Sequence, residues 1–183
     1  ISRGLVGSEM CIRDRPVHAL VNNAGISPKQ ENGDRLDTLT TDQSIWAEVL
    51  QVNLLAPALL TRRLTKSLQK GQGAVVNVTS IAGTRVHRFA GSAYAASKAA
   101  LSTLTRELAS DLGSLGIRVN AVSPGEIKTE MLSLATANEM IHDIPLHRLG
   151  DVEEVASAIY FLCCGSASYI NGAEIEINGG QHV

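Results

Sequence analysis

Two periodicities alternate along the chain. Short apolar runs at 17–21, 74–78 and 117–122 are rich in β-branched residues and nearly continuous, which predicts strands covered on both faces. Longer stretches with helical spacing separate them: 42 to about 70, about 92 to 112, and a third that begins at Asp151. Strands alternating with helices predict an α/β domain built on a largely parallel sheet. The last run differs. Ala173, Ile175 and Ile177 alternate with Glu174 and Glu176, which predicts a strand at the sheet edge with one face in water.

Local signals refine these elements. Thr40, Thr41 and Asp42 offer N-caps to the first helix, and Lys66 and Lys70 suit the negative end of its dipole. Pro57 lies inside that helix. It has no N–H for the carbonyl of Asn53, so a kink is expected and Asn53 must find another partner. The second helix is expected to end at Gly113 in a left-handed C-cap. Asp151-Val-Glu-Glu154 has the spacing of a capping box. The irregular stretch 127–150, which contains Pro145, reads as a lid or binding loop.

Composition bounds the function. With 183 residues, 44% hydrophobic and 19% charged, the chain is one globular domain large enough to bury a core. A net charge of −2 gives no electrostatic reason to expect nucleic acid or an anionic membrane as partner. Cys11, Cys163 and Cys164 lack the repeated short spacing of a zinc site and read as small structural residues in a reducing cytoplasm. Neither a signal peptide nor an apolar run long enough to span a bilayer is visible.

The chemistry gathers at strand ends. Three predicted strands run into Asn22-Asn23-Ala24-Gly25, Thr79-Ser80 and Ser123-Pro124-Gly125. Ligands of open α/β sheets bind outside the carboxyl ends of the strands, so these loops are expected to line one crevice. Tyr94 and Lys98 are four residues apart on the second helix, which puts phenol and ammonium on the same face. Lowering a phenol by about 3 units takes about 4 kcal/mol. A neighbouring ammonium supplies roughly 1 to 3 units, so the pair works as an acid or base at neutral pH only with a second cation nearby.

In order along 16–183, Asn22-Asn23-Ala24-Gly25, Asn53, Ser80 in "NVTSIAG", Tyr94 and Lys98 in "YAASK", "PGEIKT" from Pro124, and "INGG" resemble the motifs of the short-chain dehydrogenase/reductase family. The resemblance implies the C-terminal portion of a Rossmann-like, doubly wound parallel sheet, about four strands of the family's seven with helices on both faces. It also implies an NAD(P)-dependent oxidoreductase that reduces a carbonyl or oxidises a secondary alcohol. Tyr94 would be the acid/base, Ser80 a donor to the substrate oxygen, and Lys98 the residue that lowers the tyrosine pKa and holds the nicotinamide ribose. Asn53 would hold a relay water. Asn23, Ala24, Gly25, Tyr94, Lys98, Pro124, Gly125, Ile127 and Thr129 would border the cofactor. Asn22 reads instead as a tie between neighbouring strands, and no metal is implied.

Tyr94 follows Ser80 by 14 residues, long enough for the loop between them to bulge. Arg85, His87 and Arg88 in that loop read as a solvated basic segment, with recognition of an acidic substrate or a carrier's phosphate as the alternative. The broad apolar coverage of the first helix (Val49, Leu50, Leu54, Leu55, Leu59, Leu60) and the family resemblance imply a homodimer or homotetramer. The substrate is expected to be a small carbonyl or alcohol, with 3-oxoacyl-carrier-protein reductase and sugar or polyol dehydrogenase both open. A non-catalytic binding or assembly protein on the same fold is the reading from another class.

Only 21 residues precede Asn22, where the family places a glycine-rich phosphate turn and about three strands. NAD and NADP are therefore not distinguished, and the 183-residue chain alone is expected to be inactive and to expose sheet surface. Residues 1–15, "ISRGLVGSEMCIRDR", have no strand before their glycines and the wrong glycine spacing for that turn. They resemble translated sequencing adapter, so the native segment is expected to begin near Pro16.

Overall fold

A computed structural model describes residues 15–128 and 140–183. Four strands form one sheet: β1 (Ala19–Asn22), β2 (Ala74–Val78), β3 (Arg118–Pro124) and β4 (Glu174–Ile177), in that spatial order. All neighbours pair parallel, with Asn22 beside Asn77 and Val78 beside Val122. Every strand therefore ends at the same edge of the sheet.

The connections are helical, as parallel pairing requires. Between β1 and β2 run α1 (Gln43–Leu50), a π-turn (Gln51–Leu55) and α2 (Ala56–Gly71). The irregularity expected at Pro57 is this π-turn, with the proline itself in the first turn of α2, where a missing N–H costs nothing. α3 (Ser92–Gly113) joins β2 to β3, and α4 (Val152–Cys163) precedes β4. The capping box at α4 is present, with Glu154 accepting from the Asp151 N–H at 2.8 Å. Arg118 closes the other end of α4 by donating to Leu162 O at 2.8 Å and Cys164 O at 3.3 Å.

Helices cover both faces. On one face Leu68 of α2 and Ala109 of α3 pack with Val75, Ile117 and Val119, joined by Leu20 and Leu64. On the other, Leu162 of α4 and Ala167 pack with Val76 and Val122, joined by Ile175 and Ile177. The second cover stops short of β1, where Val21 remains 40% exposed.

Two expectations are corrected. Gly113 is the last helical residue of α3, and the left-handed glycine is Gly116 (φ 74°), after one more turn. β4 is an edge strand, but its polar side is not left to solvent alone: all four residues are only partly exposed, and Glu174 accepts from the Thr79 hydroxyl at 2.5 Å and from the Ser102 hydroxyl on α3. Alternation of Ile and Glu signals two different environments, and hydroxyl donors can supply the polar one as well as solvent does. Cys163 and Cys164 are free thiols, and partial burial beside the α4 core pushes the Cys163 pKa up. Cys11 and the rest of 1–14 lie outside the described residues.

The helical stretch Gln43–Gly71 contains a segment long and apolar enough to cross a bilayer by length and composition. Here it lies on the sheet with Thr61, Ser67 and Leu68 buried, while Leu55, Leu59 (52%) and Leu60 are exposed.

Candidate active site

The loops after β1, β2 and β3 meet at the carboxyl edge of the sheet, as their sequence positions imply. Asn22 is buried and does not point into the crevice. Its side chain donates to Asn77 Oδ1 at 2.8 Å, and Asn77 donates in turn to Thr105 Oγ1 at 2.9 Å, which ties β1 to β2 and to α3.

Asn53 joins three elements. Its Oδ1 accepts from Ile26 N at 2.8 Å, and its Nδ2 donates to Ile26 O at 2.9 Å and Ser97 Oγ at 3.0 Å. The π-turn thus aims a fully buried carboxamide at the loop after β1 and at α3. Ser97, which the motifs did not single out, joins them: its hydroxyl donates to Tyr94 O at 2.7 Å and accepts from Asn53. Its place between Tyr94 and Lys98 was the available signal.

Lys98, only 4% exposed, donates from Nζ to Val78 O at 2.7 Å. Burial pushes its pKa down to about 8. The ammonium also lies 5.6 Å from the centroid of the Tyr94 ring. A Cβ on Gly25 would stand 3.4 Å from both Lys98 Nζ and Asn53 Oδ1, so bare backbone there keeps the approach to Lys98 open. Asn23, Ala24 and Gly25 are exposed beside it.

Tyr94 stands at the first turn of α3 with the Ser80 hydroxyl in hydrogen-bonding reach. Burial raises its pKa above the ordinary phenol value; the bond with Ser80 opposes this, and the Glu126 carboxylate reinforces it. The expected depression by Lys98 is therefore not realised by this chain's own residues. Lys98 is bonded to Val78 O, and desolvation of the phenol dominates. Ser80 begins the short 3₁₀ turn Ile81–Gly83 and accepts from Ala82 N at 3.2 Å.

Ser80 and Tyr94 open into a cleft of about 270 Å³, walled further by His87, Gly125, Glu126 and Met140. Pro124 ends β3, and Gly125 donates to Ile177 O at 3.0 Å. A Cβ on Gly125 would fall 2.6 Å from Asn178 Cβ, so this glycine is required by packing against the chain after β4. Ile127 bridges Gly150, and Thr129 lies outside the described residues. Of the stretch 127–150, the described part returns to the site: Gly150 N donates to Glu126 O at 2.9 Å and Leu146 N to Gly179 O at 3.2 Å.

The basic loop is not uniformly solvated. Arg88 is exposed and meets Asp143 at 3.2 Å, and Arg85 donates to Gln181 O. His87 turns inward onto Glu126, with the two side chains 14% and 12% exposed. Sequence reasoning missed Glu126. Its signal was a carboxylate placed in a Pro-Gly turn directly after a buried strand.

Residues 12–182 match the family model described as enoyl-(acyl carrier protein) reductase. The solved structure of an oxidoreductase of the short chain dehydrogenase/reductase family from Brucella ovis, in complex with a partially ordered NAD, superposes with a TM-score of 0.74 at 54% identity. It covers 89% of this chain and 66% of that one. This chain belongs to the short-chain dehydrogenase/reductase family. Among curated relatives, protein FixR of Bradyrhizobium diazoefficiens is 58% identical over 92% of this chain and 60% of its own length. Galactitol 2-dehydrogenase (L-tagatose-forming) of Cereibacter sphaeroides is 39% identical over 92% of this chain and 66% of its own length. The chain thus spans about two thirds or less of each of these two relatives.

Proposed function

We propose that the gene product carrying this chain is an NAD(P)-dependent oxidoreductase that interconverts a carbonyl and a secondary alcohol. The observation that carries this reading is the grouping of Ser80 and Tyr94 on one cleft, with Lys98 and Asn53 buried directly behind. A nicotinamide dinucleotide supplies or accepts the hydride when bound. The donor set suits it: an ammonium has three N–H donors, of which Val78 O takes one, and the Gly25 backbone leaves room beside Lys98. Asn23, Ala24, Gly25, Pro124, Gly125 and Ile127 would border it, together with Tyr94, Lys98 and Thr129.

Tyr94 is the group that gives a proton to the carbonyl oxygen during reduction and takes it back during oxidation. Its surroundings keep it protonated, which suits the acid role. Ser80 donates to the same oxygen and stabilises the negative charge that develops there. Lys98 holds positive charge behind the ring, and Asn53 fixes the loop after β1 against α3 while its main chain holds a water toward Lys98.

Assembly as a homodimer or homotetramer through the exposed Leu55, Leu59 and Leu60 is part of this reading, as is a reducing cytoplasm for the free Cys163 and Cys164. The alternative, a binding or assembly protein without catalysis, is separated by assay. Full-length gene product should oxidise NADH or NADPH in the presence of a ketone. Tyr94→Phe should lower kcat/KM by about 10² to 10⁴. Turnover equal to wild type in Tyr94→Phe would refute the assignment.

A further inference from the structure

We propose that Glu126, aimed by His87, selects the substrate: it accepts a hydrogen bond from a hydroxyl on the carbon beside the reacting one and excludes a carboxylate at that position. The inference rests on the reading of Ser80 and Tyr94 as the carbonyl-binding pair. Glu126 is firmly placed. Its carbonyl accepts from Gly150 N at 2.9 Å, and the preceding Gly125 is clamped to Ile177 O, so the side chain leaves a fixed backbone at the end of β3.

His87 is fixed from the opposite wall. Arg35 donates to its carbonyl at 3.1 Å, and the Phe89 N–H donates to its Nδ1 at 3.3 Å. A ring nitrogen that accepts carries no proton, so the proton sits on Nε2 and is donated to Glu126 Oε1. Nε2 is then the donor of the pair and the Glu126 carboxylate its acceptor, which brings the carboxylate charge to this wall.

That charge faces the cleft shared with Ser80 and Tyr94. Of the cationic groups around it, Arg88 meets Asp143, while Lys29, Arg35 and Arg85 are held away by bonds to the backbone carbonyls of Phe89, His87 and Gln181; Lys29 is near enough to feel the Glu126 charge, yet only His87 bonds the carboxylate directly. The influence of Glu126 reaches Tyr94, whose phenolate it disfavours. A carboxylate offers about four lone-pair positions and His87 takes one, so a substrate hydroxyl has an acceptor within the cleft. At about 270 Å³ the cleft is just under the usual range for ligand pockets, about 300 to 1,000 Å³. The reacting end of the substrate is accordingly small, and a longer substrate would extend into the adjoining 480 Å³ cavity lined by Arg35, Arg85 and Arg88.

Hydroxyacetone and pyruvate test this directly, because they differ only in a hydroxymethyl or a carboxylate beside the same ketone. With full-length gene product, wild type should favour hydroxyacetone in kcat/KM. Glu126→Gln, which keeps an acceptor for His87 and removes the charge, should move the ratio toward pyruvate by at least fivefold; about tenfold or more is expected from one unit charge at close range. Glu126→Asp should restore the wild-type preference. A wild type that favours pyruvate, or a shift below fivefold, overturns the proposal. His87→Leu gives a second reading on an intact carboxylate: efficiency with hydroxyacetone should fall at least fivefold, and an unchanged value also overturns it. Absence of turnover with both ketones would count against the oxidoreductase reading alone. The same ratio, measured as Kd by ligand-observed NMR, would still decide on Glu126.

Discussion

The crevice has two sides that are built differently. On the side toward β1, Asn53, Ser97 and Lys98 are buried and bonded across elements: Asn53 to Ile26 after β1 and to Ser97 in α3, and Lys98 to Val78 in β2. On the side toward the end of β3, His87 and Glu126 hold each other across two loops and line a cleft that opens outward. The first side is a cross-braced frame, and the second is a pair of side chains on loop backbone. In the proposed function, proton handling would fall to the frame, which fixes geometry, and substrate preference to the loop pair, where a single residue can change it.

The frame should be the costlier side to damage. Asn53→Ala removes three hydrogen bonds and leaves the N–H and C=O of Ile26 unpaired, at about 4 kcal/mol in urea unfolding. Glu126→Gln should cost far less in the same measurement, and equal losses would erase the distinction between the two sides.

Lys98 gives the next effect, through pH. Its folded pKa of about 8 lies below the value of 10.5 expected unfolded, so between these values the unfolded chain binds more protons. Stability should therefore rise as pH increases from about 8 toward 10, by about 2 to 3 kcal/mol, and Lys98→Met should flatten that rise. A wild-type stability that falls over this window would contradict the burial of the ammonium.

The smallest effect belongs to the outer loop. Arg88 and Asp143 are both exposed, so Arg88→Ala should change stability by less than about 1 kcal/mol. The relative efficiency with anionic and neutral ketones should also stay unchanged, since Glu126, and not Arg88, walls the cleft. A marked loss confined to anionic ketones would move substrate selection to the basic loop.

The frame was largely legible in the sequence because its signals are local. The apolar runs located β1, β2 and β3, the four-residue interval put Tyr94 and Lys98 on one helical face, and Pro57 marked the irregular turn that carries Asn53. What stayed hidden depends on pairing between distant segments. Glu126 and His87 are 39 residues apart and meet only because the loops after β2 and β3 share one edge of the sheet. Glu174 read as a solvent-facing residue, since no local pattern shows that Thr79 and Ser102 supply its hydroxyl partners. Gly113 does end α3, as its position implied, but the left-handed residue is Gly116, three residues on.

Burial and Glu126 hold the Tyr94 phenol above its ordinary pKa, so this chain's own residues do not by themselves make it a base. Ultraviolet titration of full-length protein, taken as the difference between wild type and Tyr94→Phe, reads that phenol directly. Without dinucleotide, Tyr94 should titrate above the ordinary phenol value of 10.0, and added NAD⁺ should shift it downward. Titration below 10.0 in the absence of dinucleotide would show that Lys98 alone activates the tyrosine and would contradict the account.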